Sequence, residues 1–77
     1  MDKKLVLETF ASRNFPLMPD DLRSICLKEY ARTSVYVYLL RLKQQKLLEC
    51  TLLRGRIAYR ITNLGIARLE YFRRRGS

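Results

Sequence analysis

Two strand-like runs on either side of Arg54-Gly55 constrain the fold more than any other feature of the sequence. Residues 48–53 and 56–61 each alternate between apolar and other side chains, and a two-residue turn between them would make an antiparallel hairpin. A shift of the strand pairing by one residue would expose the apolar side chains of one strand to water, so the pattern specifies one register. The predicted pairs are Leu48 with Ile61, Glu49 with Arg60, Cys50 with Tyr59, Thr51 with Ala58, Leu52 with Ile57, and Leu53 with Arg56.

One face of this hairpin is expected to be buried and the other to be polar. The polar face carries the opposite-charge pair of Glu49 and Arg60, and Leu53 at its tip is a misfit. The face expected to be buried comprises Leu48, Cys50, Leu52, Ile57, Tyr59 and Ile61.

Apolar residues at three- and four-residue steps predict a first helix over residues 2–13. Asn14 suits the left-handed position that follows a helix, and Pro16 prevents the helix from continuing. The chain is therefore expected to break between residues 14 and 16.

A second helix is predicted to begin at Pro19, because proline fits the first helical position. Asp20 and Asp21 then place negative charge at the positive end of the helix dipole, a role we favour strongly over acid–base chemistry. Leu17 and Leu22 have the spacing of a hydrophobic staple. The stripe expected to be buried is Leu22, Ile25 and Cys26.

A third helix extends to about residue 46, with Val35, Leu39 and Leu42 on its buried stripe. Its start is open: Thr33 or Ser34 is a suitable cap, or the turn closes two residues earlier. Two helices joined by a tight turn over about residues 19–46 have the helix-turn-helix arrangement.

Thr62 is a natural cap for a fourth helix over about residues 63–75. Gly65 lies in its first turn, where glycine often permits a close contact with the helix. The apolar stripe of this helix is Ile66, Leu69 and Phe72.

The charge of the chain is large and unevenly distributed. The net charge of the 77 residues is +9, of which residues 1–28 contribute +1 and residues 29–77 contribute +8. This asymmetry favours a polyanionic partner, and a basic surface that only confers solubility is the alternative. The longest apolar stretch, residues 35–40, is far shorter than the roughly 20 residues of a membrane span, and residues 1–13 do not resemble a signal peptide. We therefore expect an intracellular protein without a membrane partner.

The sequence contains no histidine, and Cys26 and Cys50 are its only cysteines. Zinc sites of the usual kind and histidine-based triads are thus excluded, and we expect neither enzyme activity, a metal, a cofactor nor a small-molecule ligand. Both cysteines are expected on apolar faces as free thiols, with a disulfide as the minority alternative.

The chain contains Thr33-Ser34-Val35-Tyr36 and Tyr59-Arg60-Ile61-Thr62-Asn63-Leu64-Gly65, and the segments that begin with them resemble winged helix-turn-helix domains of the PadR and MarR types. Thr33-Ser34-Val35-Tyr36, followed by Leu39, Leu42, Leu47 and Leu48, is similar to a recognition helix running into the first wing strand. The second segment is Tyr59-Arg60-Ile61-Thr62-Asn63-Leu64-Gly65 with Leu69-Glu70, which is similar to the family's end of the wing and start of the last helix. Lys46 departs from the family pattern, because many relatives have glycine there.

The resemblance implies a single α+β domain over residues 1–77, with a three-helix bundle, a two-stranded antiparallel wing over about residues 47–62 and a C-terminal helix. It further implies a sequence-specific transcription regulator that inserts residues 33–46 into the major groove of double-stranded DNA. The candidates for reading bases are Arg32, just before the helix, and Thr33, Ser34, Val37, Arg41 and Gln44. The candidates for contacting phosphates, or for acting from the wing, are Tyr36, Lys43, Lys46, Arg54, Arg56 and Arg60. In PadR-like relatives the tyrosine equivalent to Tyr36 is often packed inward.

The resemblance also favours a homodimer, because relatives commonly pair through their terminal helices. The candidate interface is Ile66, Leu69 and Phe72, and the alternative is that this stripe packs on its own domain. A different function is indicated if the outward Val37 and Leu40 bind a protein instead of DNA, which would make the chain a winged-helix adaptor.

Overall fold

The computed structural model describes residues 2–13 and 15–76, and this part of the chain forms an α+β arrangement of four helices and one two-stranded antiparallel sheet. The position predicted for Asn14 lies outside the described residues. In chain order the elements are α1 (Lys3–Ala11), α2 (Pro19–Ile25), α3 (Arg32–Gln44), β1 (Leu48–Leu53), β2 (Arg56–Ile61) and α4 (Asn63–Gly76).

The predicted hairpin register is confirmed at all of its pairs, from Leu48 opposite Ile61 to Leu53 opposite Arg56. Arg54 and Gly55 form the turn with φ values of 54° and 78°. Two positive φ angles are the signature of a type I′ turn, whose twist matches that of the flanking strands. The turn therefore allows a tight hairpin with no loop residues to spare.

The prediction of a wholly buried apolar face on the hairpin is wrong at the tip. Leu48 and Tyr59, at the base, are 2% and 6% exposed, whereas Leu52 and Ile57 are 73% and 57% exposed. The reason is length: α3 contacts β1, and α1 and α4 contact β2, but the core includes Leu48 and Tyr59 of the hairpin and neither residue of the tip pair. Cys50 is exposed as well, contrary to expectation.

A backbone bridge holds the base of the hairpin to the segment before α2. The Leu17 N–H donates to the Tyr59 carbonyl at 2.9 Å, and the Tyr59 N–H donates to the Leu17 carbonyl at 2.8 Å. The hairpin is thus fixed against the helices by hydrogen bonds as well as by apolar packing.

Aspartate carboxylates accept hydrogen bonds from backbone N–H groups at the starts of α1 and α2. The Asp2 carboxylate accepts from the N–H groups of Lys4 and Leu5, and α1 ends at Ala11, two residues earlier than predicted. In α2 the Asp21 carboxylate accepts from the Met18 N–H at 3.0 Å. These local bonds favour a helix start at both places.

The predicted staple at the start of α2 is consistent with the burial of both Leu17 and Leu22. The prediction that Ile25 is buried is wrong, since it is 41% exposed. Helix α2 has only seven residues, and Leu27, beyond its end, takes the buried place instead. Cys26 is half-buried against the core, as a free thiol.

The structure resolves the open start of α3 in favour of the earlier alternative. The helix begins at Arg32 after Ala31, so Arg32 lies inside the helix and not before it. It ends at Gln44, and Lys46 adopts a φ of 65°. Lys46 therefore occupies a left-handed position of the kind that glycine usually fills after a helix.

Thr62 connects the end of α3 to the start of α4. Its hydroxyl oxygen accepts from the Gly65 N–H at 3.0 Å, as expected of a cap, and lies 2.6 Å from the Lys46 carbonyl. The predicted close approach at Gly65 is confirmed, because a Cβ there would meet the Leu47 carbonyl oxygen and come within 2.7 Å of the Ile61 side chain.

One hydrophobic core lies between the helices and the base of the hairpin. The core cluster comprises Val6, Leu7, Phe10, Leu17, Leu22, Leu27, Val35, Leu39, Leu42, Leu47, Leu48, Tyr59 and Leu69.

None of the helices in residues 2–13 and 15–76 is both long and apolar enough to cross a membrane.

Candidate functional site

The outward face of α3 is exposed to solvent and carries mostly polar side chains. Val35, Leu39 and Leu42 are each at most 1% exposed and fix the rotation of the helix, because they must face the core. The opposite positions are therefore directed to solvent. The exposed residues of α3 are Arg32, Thr33, Ser34, Tyr36, Val37, Leu40, Arg41, Lys43 and Gln44, which include every base-reading candidate from the sequence.

One shallow groove runs along this face on the side of the turn before α3. Two hydroxyls, a branched methyl pair and a guanidinium lie together there, from Thr33, Ser34, Val37 and Arg41. Tyr30 and Tyr38 complete its lining. The arrangement offers hydrogen-bond donors and an apolar contact on a single helix face, which is the mixture that base edges in a major groove require.

Tyr38 is the buried member of that groove. Its hydroxyl is buried and has no hydrogen-bond partner among the described residues. Burial, with a smaller effect from the Asp2 carboxylate, raises the pKa of the Tyr38 phenol above its ordinary value. The hydroxyl therefore stays protonated over the physiological range and supplies no negative charge to the groove.

A second groove lies on the other side of α3, between its first turn and the hairpin. Arg32 and Tyr36 come from α3, Arg56 and Ile57 come from β2, and the start of α2 contributes Met18, Pro19 and Asp20. The fold thus brings two cations from distant parts of the sequence to one concave surface. Tyr36 is 42% exposed here, unlike the inward-packed tyrosine that the resemblance implied.

Arg32 is held in this second groove by two neighbours. Its guanidinium donates to the Asp20 carboxylate at 2.7 Å and lies 5.9 Å from the centre of the Tyr36 ring. The hydrogen bond and the charge of Asp20 raise the pKa of Arg32, which remains a cation. Because both partners of the ion pair are half-exposed, water screens it strongly and its main effect is on the orientation of Arg32.

The remaining predicted phosphate contacts lie at three places. Arg54 and Arg56 are at the exposed tip of the hairpin, and Lys43 and Lys46 are exposed at the end of α3. Arg60 lies 3.9 Å from the Glu49 carboxylate across the strands, as the sequence predicted. Arg60 is therefore already engaged by an acidic partner, whereas no ion pair joins the other four cations to an acidic side chain within the described residues.

The three residues of the predicted dimer stripe on α4 differ in their burial. Leu69 is 1% exposed within its own domain and Phe72 packs against the same core, while Ile66 is 40% exposed. The exposed apolar side chains of α4 also include Leu64 and Tyr71, at 51% and 50%, which the sequence reading did not select. Their spacing of seven residues was a signal that could have identified them.

The side chains gathered on these surfaces are mainly hydrogen-bonding, cationic and apolar. Three or more acidic, cysteine or histidine side chains placed to hold a metal do not occur within residues 2–13 and 15–76. The described grooves contain hydroxyls, guanidinium groups and apolar side chains, with Asp20 as the carboxylate beside Arg32.

Comparison of the chain with protein-family models, with curated proteins and with solved structures found no match. Geometry and charge are left as the basis for a function.

Proposed function

We propose that the chain binds double-stranded DNA as a winged helix-turn-helix domain, with α3 in the major groove and the hairpin as its wing. The observation that supports this most is the groove shared by Arg32 of α3 and Arg56 of the hairpin, beside an uncovered polar helix face. A phosphodiester backbone passing between helix and wing would meet a guanidinium from each side. The net charge of +9 acts in the same direction.

The roles follow from position on α3. In this proposal Thr33, Ser34, Arg41 and Gln44, which are exposed on α3, read base edges, and the exposed Val37 contacts a thymine methyl group. Arg54 and Arg56, with Lys43 and Lys46, contact phosphates and fix orientation without reading sequence.

A homodimer belongs to the same proposal. Two copies related by a two-fold axis would present their α3 helices about 34 Å apart and would select palindromic sites. The exposed apolar side chains Leu64, Ile66 and Tyr71 give α4 a surface for this contact, in place of the buried Leu69.

Selection of bound duplexes from a random library tests the proposal, followed by fluorescence anisotropy over a series of salt concentrations. We expect recovery of an inverted repeat and, for about six phosphate contacts, a log–log salt slope of about −5. Affinity that does not change with salt, or a library that shows no enrichment, would contradict sequence-specific binding to DNA.

A protein-binding adaptor is the second candidate, because Val37 and Leu40 are each 44% exposed on the same helix. This function predicts that nuclease-treated lysate still yields a stoichiometric partner and that duplexes are not shifted even at low salt. Replacement of Val37 and Leu40 by serine would then abolish capture of the partner, whereas in the DNA-binding function it lowers affinity for the selected duplex.

A further inference from the structure

We propose that the exposed pair Leu52 and Ile57 is an apolar wedge that enters the minor groove, partly unstacks one base step and bends the duplex. This inference rests on the proposed function and assigns the hairpin a task beyond contacting phosphates. The two residues are direct cross-strand partners one pair below the turn, at 73% and 57% exposure.

The hairpin presents this pair rigidly. At its base Leu48 and Tyr59 are in the core, and the Leu17–Tyr59 bridge adds two backbone hydrogen bonds of 2.9 and 2.8 Å. At its tip the type I′ turn of Arg54 and Gly55 closes the strands without additional residues. The apolar pair therefore stands on a projection that is anchored at its base and closed by a short turn, which lowers the ordering that binding requires.

The charges around the apolar pair indicate that its partner is a polyanion. Arg54 and Arg56 flank the pair, and the acidic residue of the hairpin, Glu49, lies near the base with its carboxylate beside Arg60. Apolar side chains flanked by guanidinium groups fit the minor groove, where arginines meet the phosphates and a leucine or isoleucine enters between base pairs.

Continuity with α3 favours DNA over an anionic lipid surface. Ile57 and Arg56 line the same groove as Arg32 and Tyr36, so the wedge lies beside the helix proposed to occupy the major groove. A flat lipid surface would reach the two apolar side chains and leave that concave groove unused. Side chains of this kind in the minor groove kink DNA by about 20–90° towards the major groove, which keeps the duplex against both elements.

The test measures bending and unstacking directly. A duplex of about 30 base pairs, far shorter than the DNA persistence length of about 150 base pairs, carries a donor and an acceptor fluorophore at its ends. A second duplex carries 2-aminopurine, whose fluorescence rises when its base step is unstacked. The variant is Leu52→Thr with Ile57→Thr, which places a strand-favouring β-branched side chain at both positions, and circular dichroism checks its fold.

We expect the unaltered chain to raise energy transfer and 2-aminopurine fluorescence on saturation. The double variant should bind within about tenfold of it and with the same salt slope, because no charge is lost, but should leave both signals at the level of free DNA. The control Arg54→Asn keeps the left-handed turn and removes one cation. It should reduce the salt slope by about 0.9 and retain the bend.

Two results would overturn the wedge while leaving DNA binding intact: a straight duplex with the unaltered chain, or an equal bend with the double variant. Binding to no duplex at any salt concentration would instead contradict the proposed function itself, and the wedge with it. Vesicles containing phosphatidylserine form a third arm. Binding to them that the double variant loses, together with an unbent duplex, would assign the pair to a membrane surface and overturn the inference.

Discussion

The Arg32 guanidinium at the start of α3 donates to the Asp20 carboxylate of α2 at 2.7 Å, and so joins the two helices on the surface proposed to face DNA. The contact orients a cation but also places a negative charge among the residues expected to meet phosphates. In the proposed function Asp20 would therefore weaken DNA binding while it positions Arg32.

Replacement of Asp20 by asparagine should increase affinity for any duplex about threefold to tenfold at low salt, since it removes a like charge from the interface. Selectivity among sequences should change little, because the contact proposed for Arg32 is with phosphate, which carries no sequence information. Anisotropy titrations with the selected site and with a scrambled site measure both effects. Glu70→Gln, on exposed α4, changes the net charge equally, and an equal gain in that variant would show that the effect is not local.

Replacement of Arg41 by alanine should relax sequence preference, because its side chain lies beside Thr33, Ser34 and Val37 on the face that we propose reads bases. The loss should be about 1–3 kcal/mol on the selected site and much smaller on a scrambled site. Lys43→Ala is the matched control, since it should weaken binding to both duplexes alike. Equal losses on the two sites with Arg41→Ala would place this arginine on phosphates.

Arg54→Asn should stabilise the fold and weaken DNA binding at the same time. Asparagine tolerates the φ of 54° better than arginine, and Asn-Gly is the favoured type I′ pair, so the free energy of unfolding should rise by up to about 1 kcal/mol. Urea unfolding measures this gain, and anisotropy measures the lost phosphate contact. A variant that binds duplex as tightly as the unaltered chain would remove Arg54 from the interface.

Gly65→Ala should destabilise the fold by about 1–3 kcal/mol or more, because the new methyl group meets the Leu47 carbonyl oxygen and the Ile61 side chain. A backbone atom cannot rotate away as a side chain does, so α4 must shift. Ala67→Gly in the same helix is exposed and should cost only about 1 kcal/mol through helix propensity. Thermal unfolding of both variants separates the two causes, and equal losses would contradict the close approach.

The free energy of unfolding should fall at alkaline pH because of Tyr38. Burial raises the pKa of this phenol in the folded chain, whereas the unfolded chain has the ordinary value of about 10. The contribution is complete below pH 10 and is lost as the pH rises through the raised pKa, because the unfolded state releases its proton first. Tyr38→Phe should remove this dependence and cost little at pH 7, since the hydroxyl has no hydrogen-bond partner among the described residues. Urea unfolding of both proteins from pH 7 to pH 11 gives the comparison; parallel curves would contradict it.

Local patterns in the sequence were sufficient for the secondary structure and for the hairpin register. Side-chain alternation and a two-residue turn determine pairing, and the staple of Leu17 and Leu22 together with the Thr62 cap marks where helices start. The errors occurred where burial depends on how far another element extends. Ile25 and Leu52 have buried-type spacing but no element over them.

The exposed positions of α3 were predictable from the sequence, but the residues that other elements place beside α3 were not. The buried stripe of Val35, Leu39 and Leu42 determines which residues of α3 face outward, so those positions followed from periodicity. The approach of Arg56 to Arg32, and the pairing of Arg32 with Asp20, depend on the angle between hairpin and helices. No spacing in a single sequence encodes that angle.

The bridge between Leu17 and Tyr59 makes the anchorage of the hairpin independent of its length, whereas a hairpin usually couples these two properties. Its anchorage is complete at the end near the helices, so residue pairs inserted at Arg54-Gly55 would lengthen the projection without disturbing the helical layer. Insertions at the turn can therefore change how far the hairpin extends towards a partner, while the body of the molecule keeps its shape.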